Sequence, residues 1–143
     1  MRIHEALADE GAVPRFVGPT LGSVASTTGD PVEVEVSLEA APGVVWDACV
    51  FVDGEAATNT LANVGQAIEF LKDQYRHCKP ILMLGSANGL LQEAKIPTTL
   101  PDGSPDAGLL QLAAEDTDVA IAPFIEAIAN HRYFDRETNP PRV

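Results

Sequence analysis

The chain is short of bases, of aromatic side chains and of cysteine, and each shortage removes a class of function. Nine Lys and Arg stand against 21 Asp and Glu, a net charge of −12. Nucleic-acid binding needs clustered cations to neutralise phosphates, and a surface this acidic repels them. Anionic membrane surfaces are disfavoured for the same reason. No apolar run approaches the roughly 20 residues that a membrane-crossing helix needs. The opening Met1-Arg2-Ile3-His4-Glu5-Ala6-Leu7 carries an acid and no continuous apolar stretch, so it does not read as a secretory leader. The two cysteines, Cys49 and Cys78, form no CxxC pair and read as buried structural thiols. Phosphate-loop spacings are missing too, both GxGxxG and a glycine-rich turn followed by Lys-Ser/Thr.

What is present is enough apolar residue to close one core: 45% of 143 residues. The pattern alternates helix and strand. Residues 1–10 read as the end of a helix, with Gly11 as its left-handed terminator. Val13 to Gly18 follows as a short strand. From Leu21 to Leu38, Val32, Val34 and Val36 alternate with Glu33 and Glu35 around a Thr28-Gly29-Asp30 turn, the mark of an antiparallel hairpin. Trp46 to Asp53 is apolar at nearly every position and closes on Gly54, as in a parallel strand covered on both faces. Leu61, Val64, Ile68, Leu71 and Tyr75 fall at helical spacing, with Thr58 or Asn59 as N-cap. Pro80 to Leu84 repeats the buried-strand pattern, and Leu109 to Ala113 is another short strand. Asp116 or Thr117 caps a last helix through Ile128.

This order predicts an α/β fold, a three-layer α/β/α sandwich on a mostly parallel sheet with an inserted β-hairpin. The domain spans residues 1–129, and 130–143 reads as an extended C-terminal arm. A doubly wound domain normally opens on a central strand, whereas this chain opens in a helix, so the first central strand is expected to be missing.

Ligands and nucleophiles in such folds gather at the carboxyl ends of the parallel strands. Two such places are Asp53-Gly54-Glu55 and Gly85-Ser86-Ala87-Asn88-Gly89. Ser86 at a strand-to-helix turn invites a hydrolase reading. A nucleophile elbow requires small residues two positions to either side, and here those are Leu84 and Asn88, so the motif fails. Cys49 lies inside an apolar strand, where burial silences a thiol, and Cys78 lies at a helix C-terminus, where the dipole opposes a thiolate. His4, His77 and His131 fall at helix ends with no second ligand at metal spacing, and C-terminal capping accounts better for His77 and His131. Asp53, Glu55, Asp102 and Asp106 are the acids available to a hard cation, but their spacing is not that of a calcium loop. No metal or cofactor site is expected.

Several stretches together resemble one family. They are Thr28-Gly29-Asp30-Pro31, Leu38-Glu39-Ala40-Ala41-Pro42-Gly43, Val45 to Gly54, Tyr75-Arg76-His77-Cys78-Lys79-Pro80-Ile81, and the closing Asn130-His131-Arg132-Tyr133-Phe134-Asp135-Arg136. In order and spacing they are similar to the C-terminal flavodoxin-like domain of large-subunit (clade 2) haem catalases, with a fungal source expected. That domain belongs to the ThiJ/PfpI and class I glutamine-amidotransferase-like superfamily. Active members carry a cysteine at the turn after the strand that is Ile81 to Leu84 here. In this chain the degenerate position holds Gly85 and Ser86. The resemblance therefore implies a domain without catalytic residues, part of a homotetrameric haem catalase dismuting hydrogen peroxide. Its haem would lie in a separate core, and its partners would be that core and neighbouring subunits. Some superfamily relatives hold unfolded client proteins without ATP, which implies chaperone activity for the isolated domain. The alternatives are a small-molecule hydrolase or amidase using Ser86 or a cysteine, and, on fold analogy alone, a flavin or nucleotide site at the strand ends.

Overall fold

The computed structural model describes residues 1–138. Helix α1, Arg2–Asp9, ends as the sequence predicts, with Gly11 at φ +85°. Strand β1, Val17–Gly18, pairs in parallel with β4, Val36–Ser37. Between them β2, Gly22–Ala25, and β3, Pro31–Val34, form the expected antiparallel hairpin, with Gly29 at φ +87° in its turn. The central sheet contains β5 (Cys49–Phe51), β6 (Ile81–Leu84) and β7 (Leu109–Leu112), all parallel in the order β5-β6-β7. Helices α2 (Glu55–Ala62), α3 (Gly65–Arg76), α4 (Gly89–Glu93) and α5 (Thr117–Ala129) cover it.

Strand β6 makes this a layered fold. Its four side chains are all buried, and a strand sends successive side chains to opposite faces. Ile81 and Met83 enter the core beneath α3 and α4, with Phe51, Phe70, Leu71, Tyr75 and Leu90. Leu82 and Leu84 enter a second core with Ala120 and Phe124 of α5, against which Ile3 and Leu7 of α1 pack. Helix α3 buries Ala67, Phe70, Leu71, Gln74 and Tyr75, one stripe at the helical period. The mixed α/β architecture with small, mostly parallel sheets is therefore as predicted.

Four local expectations give way. The strand expected over Val13 to Gly18 pairs only at Val17–Gly18, and Val13 stays 72% exposed. The run Trp46 to Asp53 forms a strand only over Cys49–Phe51, and Val52 lies outside the core at 64% exposed. The single helix expected before Tyr75 is two helices. Gly54, not Thr58 or Asn59, is the N-cap residue of α2, and the chain breaks at Asn63 and Val64. Asn63 and Gly65 are poor helix formers, and the break lets Leu61, Val64 and Ile68 all reach the same core. Within the arm expected over 130–143, Phe134–Thr138 is a 3₁₀ turn rather than extended chain, and 139–143 lie outside the described residues.

Candidate functional site

The carboxyl ends of β5 and β6 bring two of the sequence candidates into contact. Past β5 the chain passes Asp53, turns at Gly54 (φ +148°) and enters α2. Past β6 it turns at Gly85 (φ +54°) into the 3₁₀ turn Gly85–Asn88. Asp53 Oδ1 accepts two hydrogen bonds from Ser86, from its backbone N–H at 2.7 Å and from its hydroxyl at 2.9 Å. In return Ser86 Oγ accepts from the Gly54 N–H at 3.0 Å. Thr58 Oγ1 lies 3.1 Å from Ser86 Oγ, and since the one Ser86 proton faces Asp53, Thr58 donates. The result is a closed ring of hydrogen bonds tying the two turns together.

That ring decides the chemistry available to Ser86. The Ser86 N–H, and then its hydroxyl, hold the Asp53 carboxyl below the usual carboxylate range. A carboxylate made easier to ionise is a poorer base, which weakens it as an acceptor of the hydroxyl proton. The lone pairs a nucleophile would use already accept from Gly54 and Thr58. A Cβ on Gly85 would stand 2.2 Å from Asp53 Oδ1, so the carboxylate is packed against the backbone of the turn. The two described hollows, of about 300 and 310 Å³, are both lined by other residues.

The remaining candidates are dispersed. Burial pushes the Cys49 thiol pKa up, and does the same to Cys78. Cys78 follows α3 with φ +59°, and His131 follows α5 with φ +69°; each stands in the left-handed position that closes its helix. His77 is the C-cap of α3, and its carbonyl accepts from Arg132 at 2.7 Å. His4 stacks on Phe16 at 4.7 Å in an open hollow shared with Glu33 and Glu35. Glu55 is exposed on α2, and Asp102 accepts from the Ser104 N–H and hydroxyl within its own loop. Among the described residues no three His, Cys, Asp or Glu side chains converge as metal ligands would. Nor do these residues fit a haem: the histidines stand apart, and the one lining a hollow faces carboxylates rather than a closed apolar slot.

The sequence reading missed one constellation. Asp106, weighed above only among the acids available to a cation, is buried against Arg136, Nε to Oδ2 at 2.6 Å and Nη2 to Oδ1 at 3.1 Å. Arg136 Nη1 also donates to the Lys79 carbonyl at 2.6 Å, and the guanidinium lies over Tyr75 at 4.9 Å and Tyr133 at 5.7 Å. Nearby, the buried Lys79 Nζ donates to the Val44 and Trp46 carbonyls, and Gln74 Nε2 donates to those of Gly43 and Trp46. Burial pushes the Lys79 pKa down. These side chains hold loops to the base of the sheet, with no opening onto solvent at Arg136 or Asp106. The hydrogen-bond partners lie tens of residues apart, so spacing carried no signal of them.

Comparison with known proteins agrees with this picture of a domain. Residues 1–138 match the model of the C-terminal domain found in long catalases. "Catalase HPII" of Pseudomonas putida is 33% identical over 138 residues, which is 95% of this chain and 17% of that protein. "Catalase HPII" of Mycobacterium avium is 30% identical over 96% of this chain and 20% of its own length. "Catalase C" of Rhizobium meliloti is 30% identical, over 92% and 18% respectively. "Catalase-1" of Neurospora crassa also matches, 24% identical over 94% of this chain, and relatives from such different organisms do not show the fungal source expected from the sequence. The chain spans about a fifth of the length of each. It belongs to the family of C-terminal domains of long catalases.

Proposed function

We propose that this chain is a non-catalytic accessory domain of a large-subunit catalase, stabilising the parent enzyme and, when isolated, holding unfolded proteins without ATP. The observation that carries the non-catalytic part is the ring at Ser86. The Ser86 hydroxyl donates to a carboxylate of lowered pKa, a weakened base, and accepts from Gly54 and Thr58, so its lone pairs are engaged. The parent would dismute hydrogen peroxide at a haem held by a separate core, and this domain would sit against that core and against neighbouring subunits of a homotetramer. Holding activity has its physical basis in exposed apolar side chains on a self-repelling body. Val13, Leu21, Val45 and Val52 are all more than 60% exposed, on a chain of net charge −12.

Two assays test the reading. Light scattering of a heat-denatured client enzyme should fall when the chain is added, and equal scattering with and without it removes the holding function. A fluorophosphonate probe should leave Ser86 unlabelled, and iodoacetamide should label Cys49 and Cys78 only after unfolding. Stoichiometric labelling of the folded chain at any of the three would replace this reading with the hydrolase.

A further inference from the structure

Strand β7 lies on the side of β6 away from β5, and among the described residues β6 is its one strand neighbour. The Ile81 N–H donates to the Gly108 carbonyl at 2.8 Å, which fixes the phase of the parallel ladder. By its alternation Leu110 and Leu112 turn their ladder groups to β6, while Leu109, Gln111 and the still extended Ala113 (φ −69°, ψ 160°) turn theirs outward. Two of the outward groups are satisfied within the chain. The Leu109 N–H donates to the Asp106 carbonyl, and the Ala113 carbonyl accepts from the Asp116 N–H, both at 3.1 Å. The Gln111 N–H, the Gln111 carbonyl, the Leu109 carbonyl and the Ala113 N–H remain.

What remains is self-complementary. When two β7 strands run antiparallel and centre on Gln111, the two Gln111 residues exchange both hydrogen bonds. Leu109 of each copy then stands opposite Ala113 of the other, so the free Leu109 carbonyl meets the free Ala113 N–H. The Leu109 N–H and the Ala113 carbonyl, which would otherwise pair there, are the two groups the chain has already satisfied for itself. A register moved by two residues sets an occupied group against a free one.

We infer that β7 is a two-fold interface, at which a second copy of this chain adds its own β7 antiparallel about Gln111 and continues the sheet. The interface is independent of the holding function proposed above. The side chains agree with it. Leu109–Leu112 holds no charged residue, so no like charges face each other along the ladder. Leu110 and Leu112 project to the α5 face and are only half-buried. In the pair, Leu110 stands opposite Leu112 of the second copy at a non-hydrogen-bonded position, where Cα atoms approach to about 4.5 Å. The leucines of both copies thereby close into one cluster over the two-fold axis. It would pack onto the hollow of about 310 Å³ that Leu110 lines with Pro123, Ala127 and Tyr133. On the other face the exposed Gln111 offers its amide to its twin. The opposing force is the net charge of −12 on each copy, which salt screens.

Sedimentation equilibrium from about 1 to about 500 μM should show a reversible monomer–dimer equilibrium that strengthens with added salt. Hydrogen exchange at the Gln111 amide should slow as the concentration rises. Gln111→Glu sets two carboxylates face to face and should weaken the dimer about five-fold, and Gln111→Lys should do the same with two ammonium groups. Mixing the two variants should restore the dimer, because opposite charges then face each other. Gln92→Glu makes the first charge change at an exposed position on α4 and should alter dimerisation less than about two-fold. A monomer at every concentration, equal effects of Gln111→Glu and Gln92→Glu, or no restoration on mixing overturns the inference. So does a Gln111 amide protected equally at all concentrations, which would give the edge to another part of the same chain.

Discussion

Replacing Arg136 by alanine should unfold this domain far more readily than any substitution on its exposed surface. Its side chain is 1% exposed and that of Asp106 is 2% exposed. The guanidinium makes two hydrogen bonds to the carboxylate and one to the Lys79 carbonyl, between the rings of Tyr75 and Tyr133. Among the described residues, truncation leaves the Asp106 carboxylate with one remaining donor, the Gly108 N–H at 2.9 Å, and without its ion-pair partner. Breaking a buried pair from one side costs about 3–5 kcal/mol. A domain of this size has only about 5–15 kcal/mol in total. Urea unfolding should therefore move to a much lower midpoint with little change in slope, and Tm should fall by about 10 °C or more. Arg136→Lys should recover little, because an ammonium cannot reproduce the planar fork. The double variant Arg136→Met with Asp106→Leu should recover part of the loss by removing both charges together. A cost below about 1 kcal/mol for Arg136→Ala would refute the reasoning, since that is the scale of a solvated surface pair.

Three further outcomes follow from the turns. Gly85→Ala should destabilise by roughly 1–3 kcal/mol for the left-handed backbone, with an added cost for displacing Asp53, readable as a lower urea midpoint. Lys95 stands exposed at φ +55° after α4, so Lys95→Gly should raise stability by roughly 0.5–1 kcal/mol, the left-handed cost less the extra unfolded freedom of glycine. Asp53 has a lowered folded pKa, so the native state holds fewer protons than the unfolded chain through the acid range. Its stabilisation is present above the unfolded value, 3.8, and fades as pH falls through the folded one. Asp53→Asn should therefore lose less stability between neutral and acid pH than the unaltered chain, and parallel pH profiles would contradict the ring at Ser86.

The elements legible in the sequence were those whose signal is local and periodic. Leu71 and Tyr75, two of the residues expected at helical spacing, do lie on the buried face of α3, which also holds Ala67, Phe70 and Gln74 because that face must meet a sheet. Ile81 to Leu84 is apolar at every residue because α3 and α4 cover one side of β6 and α5 the other. The hairpin turn announced itself through Gly29, where the backbone needs a positive φ. Of the candidate site, Gly85 and Ser86 could be placed at a strand end, and the failed elbow spacing at Leu84 and Asn88 argued against a nucleophile there.

The rest was decided in three dimensions. Nothing in the chain order couples Asp53 to Ser86 or Asp106 to Arg136; they lie 33 and 30 residues apart. Burial, not residue type, turned Asp106 from a loop acid into half of an ion pair, and the docking of Tyr133 and Arg136 onto Gly108 and Tyr75 turned the expected arm into a clasp. The sequence by itself determined the alternation of helix and strand, the apolar faces and the acidic surface, because these depend on side-chain chemistry at short range. Only the tertiary structure decided which polar groups meet, because that depends on what the folded chain brings alongside.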